Sequence, residues 1–374
     1  MDAGVMMDAG DMVNAGVMDA GVMKVGVMKV GVMDAGVMST DVMDAGDMVN
    51  AGVMMDAGDM VNADVMMNAG VMMDAGDMGA GVMDAGVRNV GVMDAGVMNV
   101  GVVGLGLIGG SFAKAYKAAG HNVFAYEADK SILDFAIFSG TVDALLDNDA
   151  IAGCELIIIA LYPRAAIEFI KNAAPYIQSE AIVIDCCGTK KSVCDAGFQA
   201  AAQYGFTFVG GHPMTGTEQS GYKHSKATMF KGASMIIVPP VYDDIVFLEK
   251  IKDLLAPAEF GRLAVTTADE HDAMIAFTSQ MAHLVPNAFI KSPTVLKRKG
   301  FSAGSYKDLT RVAWLNETMW TELFMENKGH LLYELDLFIA SLGEYREALQ
   351  SEDYSKMKAL LYDGKCLKEE ADRR

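Results

Sequence analysis

Along residues 98–374 the apolar positions fall into two successive regimes. Val100, Val102 and Val103, then LIIIALYP (156–163), AIVIDCC (181–187), FTFVGG (206–211) and SMIIVPP (234–240), are short apolar runs separated by helical stretches as far as about residue 266. Short apolar runs that alternate with helical spacing predict a mostly parallel sheet flanked by helices. Beyond that point DEHDAMIAFTSQMAHLVPNAFI, TRVAWLNETMWTELFMENKGHLLYELDLFIASLGEYREALQ and the remaining tail show long helical spans with almost no strand signal. The expectation is an α/β domain over 98–266 followed by an all-α domain over 267–374.

Residues 1–97 follow neither regime. They are a drifting low-complexity repeat in which hexamers such as MDAGVM mix with pentamers such as KVGVM. Five residues advance a helix by about 500°, and an odd period alternates strand faces, so no continuous apolar face forms in either conformation. A glycine in nearly every unit costs a helix about 1 kcal/mol per occurrence. Disorder is the expectation, with a pentapeptide β-solenoid as the structured alternative. The unit NVGVM at 89–93 nearly matches NVGVV at 99–103, directly after Met98. This likeness suggests either expansion of the 5′ end of a coding region or an upstream repeat wrongly included in the reading frame, with Met98 as the original start. A repetitive surface or adhesion module is the other reading.

Composition narrows the classes further. Of the 30 Met, 21 lie in the repeat, together with 15 Asp against only Lys24, Lys29 and Arg88, so most of the net charge of −19 resides there. A net negative chain without a basic cluster offers no footprint for nucleic acid. No apolar run of about 18 residues free of charge and glycine predicts a membrane span. The chain also lacks the basic and Leu-rich segments of a secretory signal. Cys154, Cys186, Cys187, Cys194 and Cys366 have no paired C-x-x-C spacing. They fit a reduced cytoplasmic protein better than a disulfide framework or zinc site.

Candidate chemistry begins at Met98, where the chain reads as strand, glycine turn, helix, strand. Gly104-x-Gly106-x-x-Gly109 lies where the strand turns into a helix over 108–119, and Glu127 ends the next strand. Gly104 permits the tight turn, Gly106 lets the backbone approach a pyrophosphate, and Gly109 lets helix and strand pack closely. The intervening Leu107 and Ile108 open the helix whose N-terminus faces the phosphates. These features predict a Rossmann-type dinucleotide site. Glu127 can accept hydrogen bonds from a ribose and would repel a 2′-phosphate, which favours NAD over NADP. Its plainer reading is an exposed strand-end carboxylate.

The segment VGGHPMTGTEQSG (209–221) is too rich in Gly and Thr for an element interior, which places His212 in a loop after a strand, where open α/β sheets bind ligands. DCCGTK (185–190) likewise ends a strand and offers the Thr189 hydroxyl. The plainer readings are a turn-stabilising His and a helix-capping Thr. His283 lies in an apolar helical run where a core histidine is commoner, and Arg311 reads as a surface helix residue. His271, beside Asp272 at a helix start, reads as structural, with orientation of the site as the alternative. His121, His224 and His330 belong to no constellation, and no cluster has metal-ligand spacing.

GLGLIGGS (104–111), DCCGTK (185–190), GGHPMTGTEQSG (210–221), SQMAH (279–283) and YKDLTRVAWLNETMW (306–320) together resemble the bacterial prephenate dehydrogenases of tyrosine biosynthesis. The resemblance spans essentially all of 98–374 and nothing in 1–97. It implies an NAD-binding Rossmann domain, a helical domain forming a homodimer interface, and an active site between them. By motif, His212 resembles the catalytic histidine that hydrogen-bonds the substrate's ring hydroxyl, and Thr189 stands where the family commonly has Ser. His283 resembles a helical-domain histidine that contacts the substrate side chain, and Arg311 the arginine that binds a carboxylate. Glu218 resembles a gate residue that pairs with Arg311. Gln280 stands where some members have another His, and Lys307 and Trp320 fall in the same substrate region.

The implied reaction is oxidative decarboxylation of prephenate to 4-hydroxyphenylpyruvate. Hydride loss from the carbinol carbon and loss of carbon dioxide restore an aromatic ring, so the chemistry needs a hydride acceptor, a proton acceptor and a cationic anchor, and no metal. An imidazole with an unperturbed pKa of about 6.5 suits the second task. A guanidinium can hold a carboxylate bidentately. Two alternatives stay open: arogenate dehydrogenase, whose substrate has an amino group in place of the keto oxygen, and a non-catalytic Rossmann binding module with a repetitive interaction segment.

Overall fold

The computed structural model describes residues 96–217, 219–301 and 303–373; the expectations for the repeat fall almost wholly outside the described residues. The first unit is β1 (Asn99–Val103), α1 (Leu107–Ala118) and β2 (Asn122–Tyr126). It is followed by α2 (Lys130–Phe138), β3 (Ala144–Leu145), α3 (Asn148–Ala152), β4 (Leu156–Ile159), α4 (Pro163–Ala173), β5 (Ile182–Asp185) and α5 (Lys191–Tyr204). The α/β part then closes with β6 (Thr207–Pro213), β7 (Ser234–Val238), α6 (Ile245–Leu254) and β8 (Arg262–Val265). The eight strands form one sheet in the order β3-β2-β1-β4-β5-β6-β7-β8. All neighbours are parallel except β6 and β7. This is the doubly wound order, with its switch point between β1 and β4. Two strands left no readable run: β3 has only two residues, both exposed, and β8 is at most half-buried.

Burial explains why the central strands read as unbroken apolar runs. In β4, Leu156 and Ile158 join a core that includes Phe112, Tyr116 and Phe230, whereas Ile157 and Ile159 join another that includes Ile170 and Phe208. All four β4 residues are fully buried. A strand covered on both faces has no solvent side to alternate with. Each such side chain contributes about 1.5–3 kcal/mol of burial.

One expectation fails. Glycine and threonine content places His212 in a loop, whereas the structure places it inside β6, opposite Ile236 of antiparallel β7. The two glycines before it serve close packing of β6 against α5 and β5. A Cβ on Gly210 would lie 2.5 Å from Cys194 Sγ, and one on Gly211 2.4 Å from the Asp185 carbonyl oxygen. Ladder hydrogen bonds to β7 override the weak local propensity.

From residue 268 the described chain is helical. It comprises α7 (Ala268–Ile275), a π-helical turn (Ala276–Met281), α8 (Ala282–Phe289), α9 (Gly304–Thr310), α10 (Glu317–Glu326), α11 (Lys328–Gln350) and α12 (Tyr354–Ala371), with short 3-10 turns between. A capping box opens α7, in which Thr267 Oγ1 accepts the Glu270 N–H at 3.1 Å and Glu270 Oε2 accepts the Thr267 N–H at 3.2 Å. Among the described residues no helix is long and apolar enough to cross a membrane.

Candidate active site

The glycine turn is shaped by close approach at two of its positions. Gly104 has φ +88°, and its N–H donates to the Tyr126 carbonyl at 2.8 Å. A Cβ on Gly109 would lie 1.8 Å from the Gly104 carbonyl oxygen, so only hydrogen fits where helix crosses turn. Gly106 differs: its φ is −70°, and nothing stands within 4 Å of where its Cβ would be. The open space lies before the first turn of α1, begun by Leu107 and Ile108, whose N-cap makes no side-chain hydrogen bond. A helix N-terminus without a side-chain cap, next to that open space, fits an anionic diphosphate. Glu127 Oε2 accepts the Leu105 N–H at 2.7 Å and Oε1 accepts the Asp129 N–H at 3.0 Å. These bonds hold the carboxylate against the turn and leave lone pairs for hydroxyl donors.

A second polar cluster sits at the carboxyl ends of β5 and β6. Asp185 and Lys190 are fully buried and form an ion pair. Asp185 Oδ1 accepts the Gly211 N–H at 3.1 Å, and Oδ2 accepts the Cys187 N–H at 2.8 Å. The carboxylate thereby ties β6 to β5 one residue before His212. His212 Nδ1 lies 2.9 Å from His271 Nε2, and His271 Nδ1 lies 2.8 Å from Asp272 Oδ1. Asp272 in turn accepts the Lys190 N–H at 2.7 Å and the Lys191 N–H at 2.8 Å, capping α5 from α7.

Burial pushes the His212 imidazole well below its ordinary pKa of 6.5, and the neighbouring His271 and Lys190 push the same way. Burial also lowers His271, against the pull of Asp272. Both rings are neutral at pH 7. His212 is partly exposed, and its Nε2 has no protein partner among the described residues. Next to Lys190 in the chain, the Thr189 hydroxyl is buried and likewise has no partner among the described residues.

The remaining predicted residues occupy the helical part. Gln280 is buried; its amide donates to the Leu323 carbonyl at 3.0 Å and accepts from Asn327 Nδ2 at 3.0 Å, so it ties the π-helical turn to α10 and α11. His283 Nδ1 donates to the Ser279 carbonyl at 2.8 Å, and its ring lies 4.3 Å from that of Trp320. Lys307 and Arg311 are one turn apart at the end of α9 and exposed. Asn287 of α8 holds their segment through the Ala313 carbonyl at 3.1 Å. The structure therefore joins His212 to His271 and Asp272, and shows no direct contact from Lys307 or Arg311 to it. Glu218 lies outside the described residues. Asp185, Lys190 and Asn327 went unread because a buried charge or amide is recognised by its partner, and these partners are distant in sequence.

A glycine turn at the head of a doubly wound sheet, with an imidazole at the sheet's carboxyl edge against a helical domain, defines a two-domain nucleotide-binding dehydrogenase. Residues 112–262 match the family model for the prephenate dehydrogenase nucleotide-binding domain, and residues 267–363 match that for its dimerization domain. The cyclohexadienyl dehydrogenase of Zymomonas mobilis is 31% identical over 66% of this chain and 87% of that protein. The prephenate dehydrogenase of Bacillus subtilis is 28% identical over 66% of this chain and 69% of its own. The prephenate dehydrogenase of A. aeolicus, solved with hydroxyphenyl propionate and NAD+, shares the fold with a TM-score of 0.65, at 24% identity over 74% of this chain and 99% of its own. The chain belongs to the prephenate dehydrogenase family.

Proposed function

We propose that the protein catalyses NAD-dependent oxidative decarboxylation of prephenate to 4-hydroxyphenylpyruvate. The observation that carries this reading is the partly exposed His212, neutral at pH 7, with Nε2 free of any protein partner among the described residues. That nitrogen accepts the proton of the substrate's ring hydroxyl as the carbinol carbon is oxidised. The unpartnered Thr189 hydroxyl orients the same hydroxyl group. His283, braced by Ser279 and Trp320, contacts the substrate side chain, and Arg311 and Lys307 supply cationic anchoring, with Glu218 as the gate. Gln280 supports the site from behind by holding the π-helical turn. NAD supplies the hydride acceptor when bound. Gly104, Gly106, Leu107, Ile108 and Gly109 would hold its diphosphate, and Glu127 its adenosine ribose.

The relative from Zymomonas is named for the cyclohexadienyl ring, which arogenate shares, so arogenate is the second reading. Side-by-side assays of both substrates, each with NAD and NADP, test the proposal. Turnover of arogenate alone would replace the substrate, preference for NADP would overturn the Glu127 role, and activity on neither would sink the reading. The homodimer proposal rests on the family's dimerization domain together with an open apolar groove of about 640 Å³ among Phe277, Met281, Val285, Leu309, Leu337 and Phe338. Light scattering that returned a monomer would refute it. A cytoplasmic location belongs to the same reading, in keeping with five unpaired cysteines.

A further inference from the structure

We infer that His271 and Asp272 are positioning residues that hold His212 in its Nδ1–H tautomer, leaving Nε2 as the free base. The inference rests on the proposed role of His212 and follows from hydrogen-bond bookkeeping along one chain of atoms. The Lys190 and Lys191 N–H groups can only donate, so the Asp272 carboxylate accepts from both. An ionised carboxylate has no proton to give, so His271 Nδ1, 2.8 Å from Oδ1, carries the hydrogen in that contact. A neutral imidazole carries one ring proton, which leaves His271 Nε2 as an acceptor. The 2.9 Å contact to His212 Nδ1 is then satisfied only if His212 donates.

The consequence is chemical. A free neutral histidine side chain favours the Nε2–H tautomer, which would place a proton on the nitrogen that has to receive one. The relay reverses that preference. Its own anchor is rigid: the capping box of Thr267 and Glu270 fixes the first turn of α7, and Asn327 Nδ2 donates to the Asp272 carbonyl at 2.7 Å. The charged and titratable groups that act on the His212 ring are His271 from α7, with Asp272 behind it, and Lys190, itself paired with Asp185 at the end of β5. Protonation of His271 would turn the relay round, because its Nε2–H would then donate to His212 Nδ1 and move the His212 proton to Nε2.

The test reads the tautomer directly. In the full chain labelled with 15N-histidine, the His212 ring is assigned by its loss in His212→Asn, and long-range 1H–15N correlations at about pH 8, above the ordinary histidine pKa, distinguish the two nitrogens. The expected pattern is a protonated Nδ1 and an unprotonated Nε2; a proton on Nε2 overturns the inference. In His271→Leu the His212 proton should shift toward Nε2. With it kcat should fall by at least about tenfold, a part of the roughly 10²–10⁴-fold that a positioned acid–base group supplies in full, and KM for NAD should not change. His271→Gln, whose amide oxygen can accept from Nδ1–H, should recover the native pattern and most of kcat. Equal losses in the Leu and Gln variants with an unaltered His212 spectrum would assign His271 a merely structural role. The native spectrum is read without turnover, so a chain inactive on both substrates would refute the functional proposal and still decide this one.

Discussion

Alanine at Gly106 and alanine at Gly109 should fail in opposite ways. At Gly106 the backbone has φ −70°, open to any residue, and the new methyl meets no protein atom within 4 Å. Stability should stay within about 0.5 kcal/mol of the parent, as for a surface change. The methyl instead enters the space assigned to the diphosphate. Losing one charge-assisted hydrogen bond there removes about 1.5–3 kcal/mol, which at 1.4 kcal/mol per decade weakens NAD binding by roughly 10–150-fold. At Gly109 the methyl would sit 1.8 Å from the Gly104 carbonyl oxygen, more than 1 Å inside any real approach, so α1 must move away from the turn. Overpacking of that kind costs about 1–3 kcal/mol or more. In a domain of this size that lowers Tm by roughly 2–12 °C. Calorimetric titration with NAD beside thermal melts separates the two effects. A Gly106→Ala protein that melts early, or that binds NAD as tightly as the parent, would refute the placement of the diphosphate.

Lys190→Met leaves Asp185 buried without its cation and should destabilise by about 3–5 kcal/mol; it also removes a positive charge that depresses His212, so the acid limb of kcat should move to higher pH. In the parent, that limb should lie below pH 6.5 and vanish in His212→Asn, and urea melts should lose stability over the same range. The unfolded chain takes up protons that folded His212 and His271 resist, so this contribution is intact above 6.5 and is lost as pH falls toward the folded pKa values. Arg311→Ala should raise the substrate KM with kcat little changed, because a carboxylate anchor acts in ground and transition states alike; the converse pattern would refute the anchor. A chain begun at Met98 should keep full activity and melt as the parent does, because β1 starts at Asn99 and Met98 already bonds to Asn122.

The parts of the molecule legible in the sequence are those whose physics is local. LIIIALYP announces a doubly covered strand because four consecutive buried residues need no distant partner to be recognised, and the 104–109 turn announces itself because glycine spacing encodes backbone geometry. His212 was legible as chemistry and misread as structure: two glycines before it resemble a loop until Cys194 and the Asp185 carbonyl are seen pressing on them. Lys190 carries no sign of burial in its local sequence, and only the fold reveals that it is fully buried beside Asp185. Gln280 shows what motif position leaves out. Its motif position suggests substrate, while its amide is engaged by Leu323 and Asn327, which the sequence places 43 and 47 residues away.

On the proposed role of His212, the polar connections make the helical part a member of the catalytic unit as well as of the proposed dimer interface. His212 resides in the nucleotide-binding part, yet the groups that define its protonation lie on α7. Asp272 joins the two parts at once, capping α5 through two backbone amides and holding His271 through its ring. A shift of α7 that lengthened the His212–His271 contact beyond hydrogen-bonding range would release the imidazole to its ordinary tautomer, even with the sheet undisturbed. Glu322 adds a second clasp, as its Oε1 on α10 accepts the Arg164 N–H of α4 at 2.8 Å, beside the strand that flanks the dinucleotide turn. Docking of the helices and readiness of the base are therefore one equilibrium. Variants that loosen α7 from α5 should lower kcat before they lower Tm, since tautomer control depends on a single contact and global stability on the whole core.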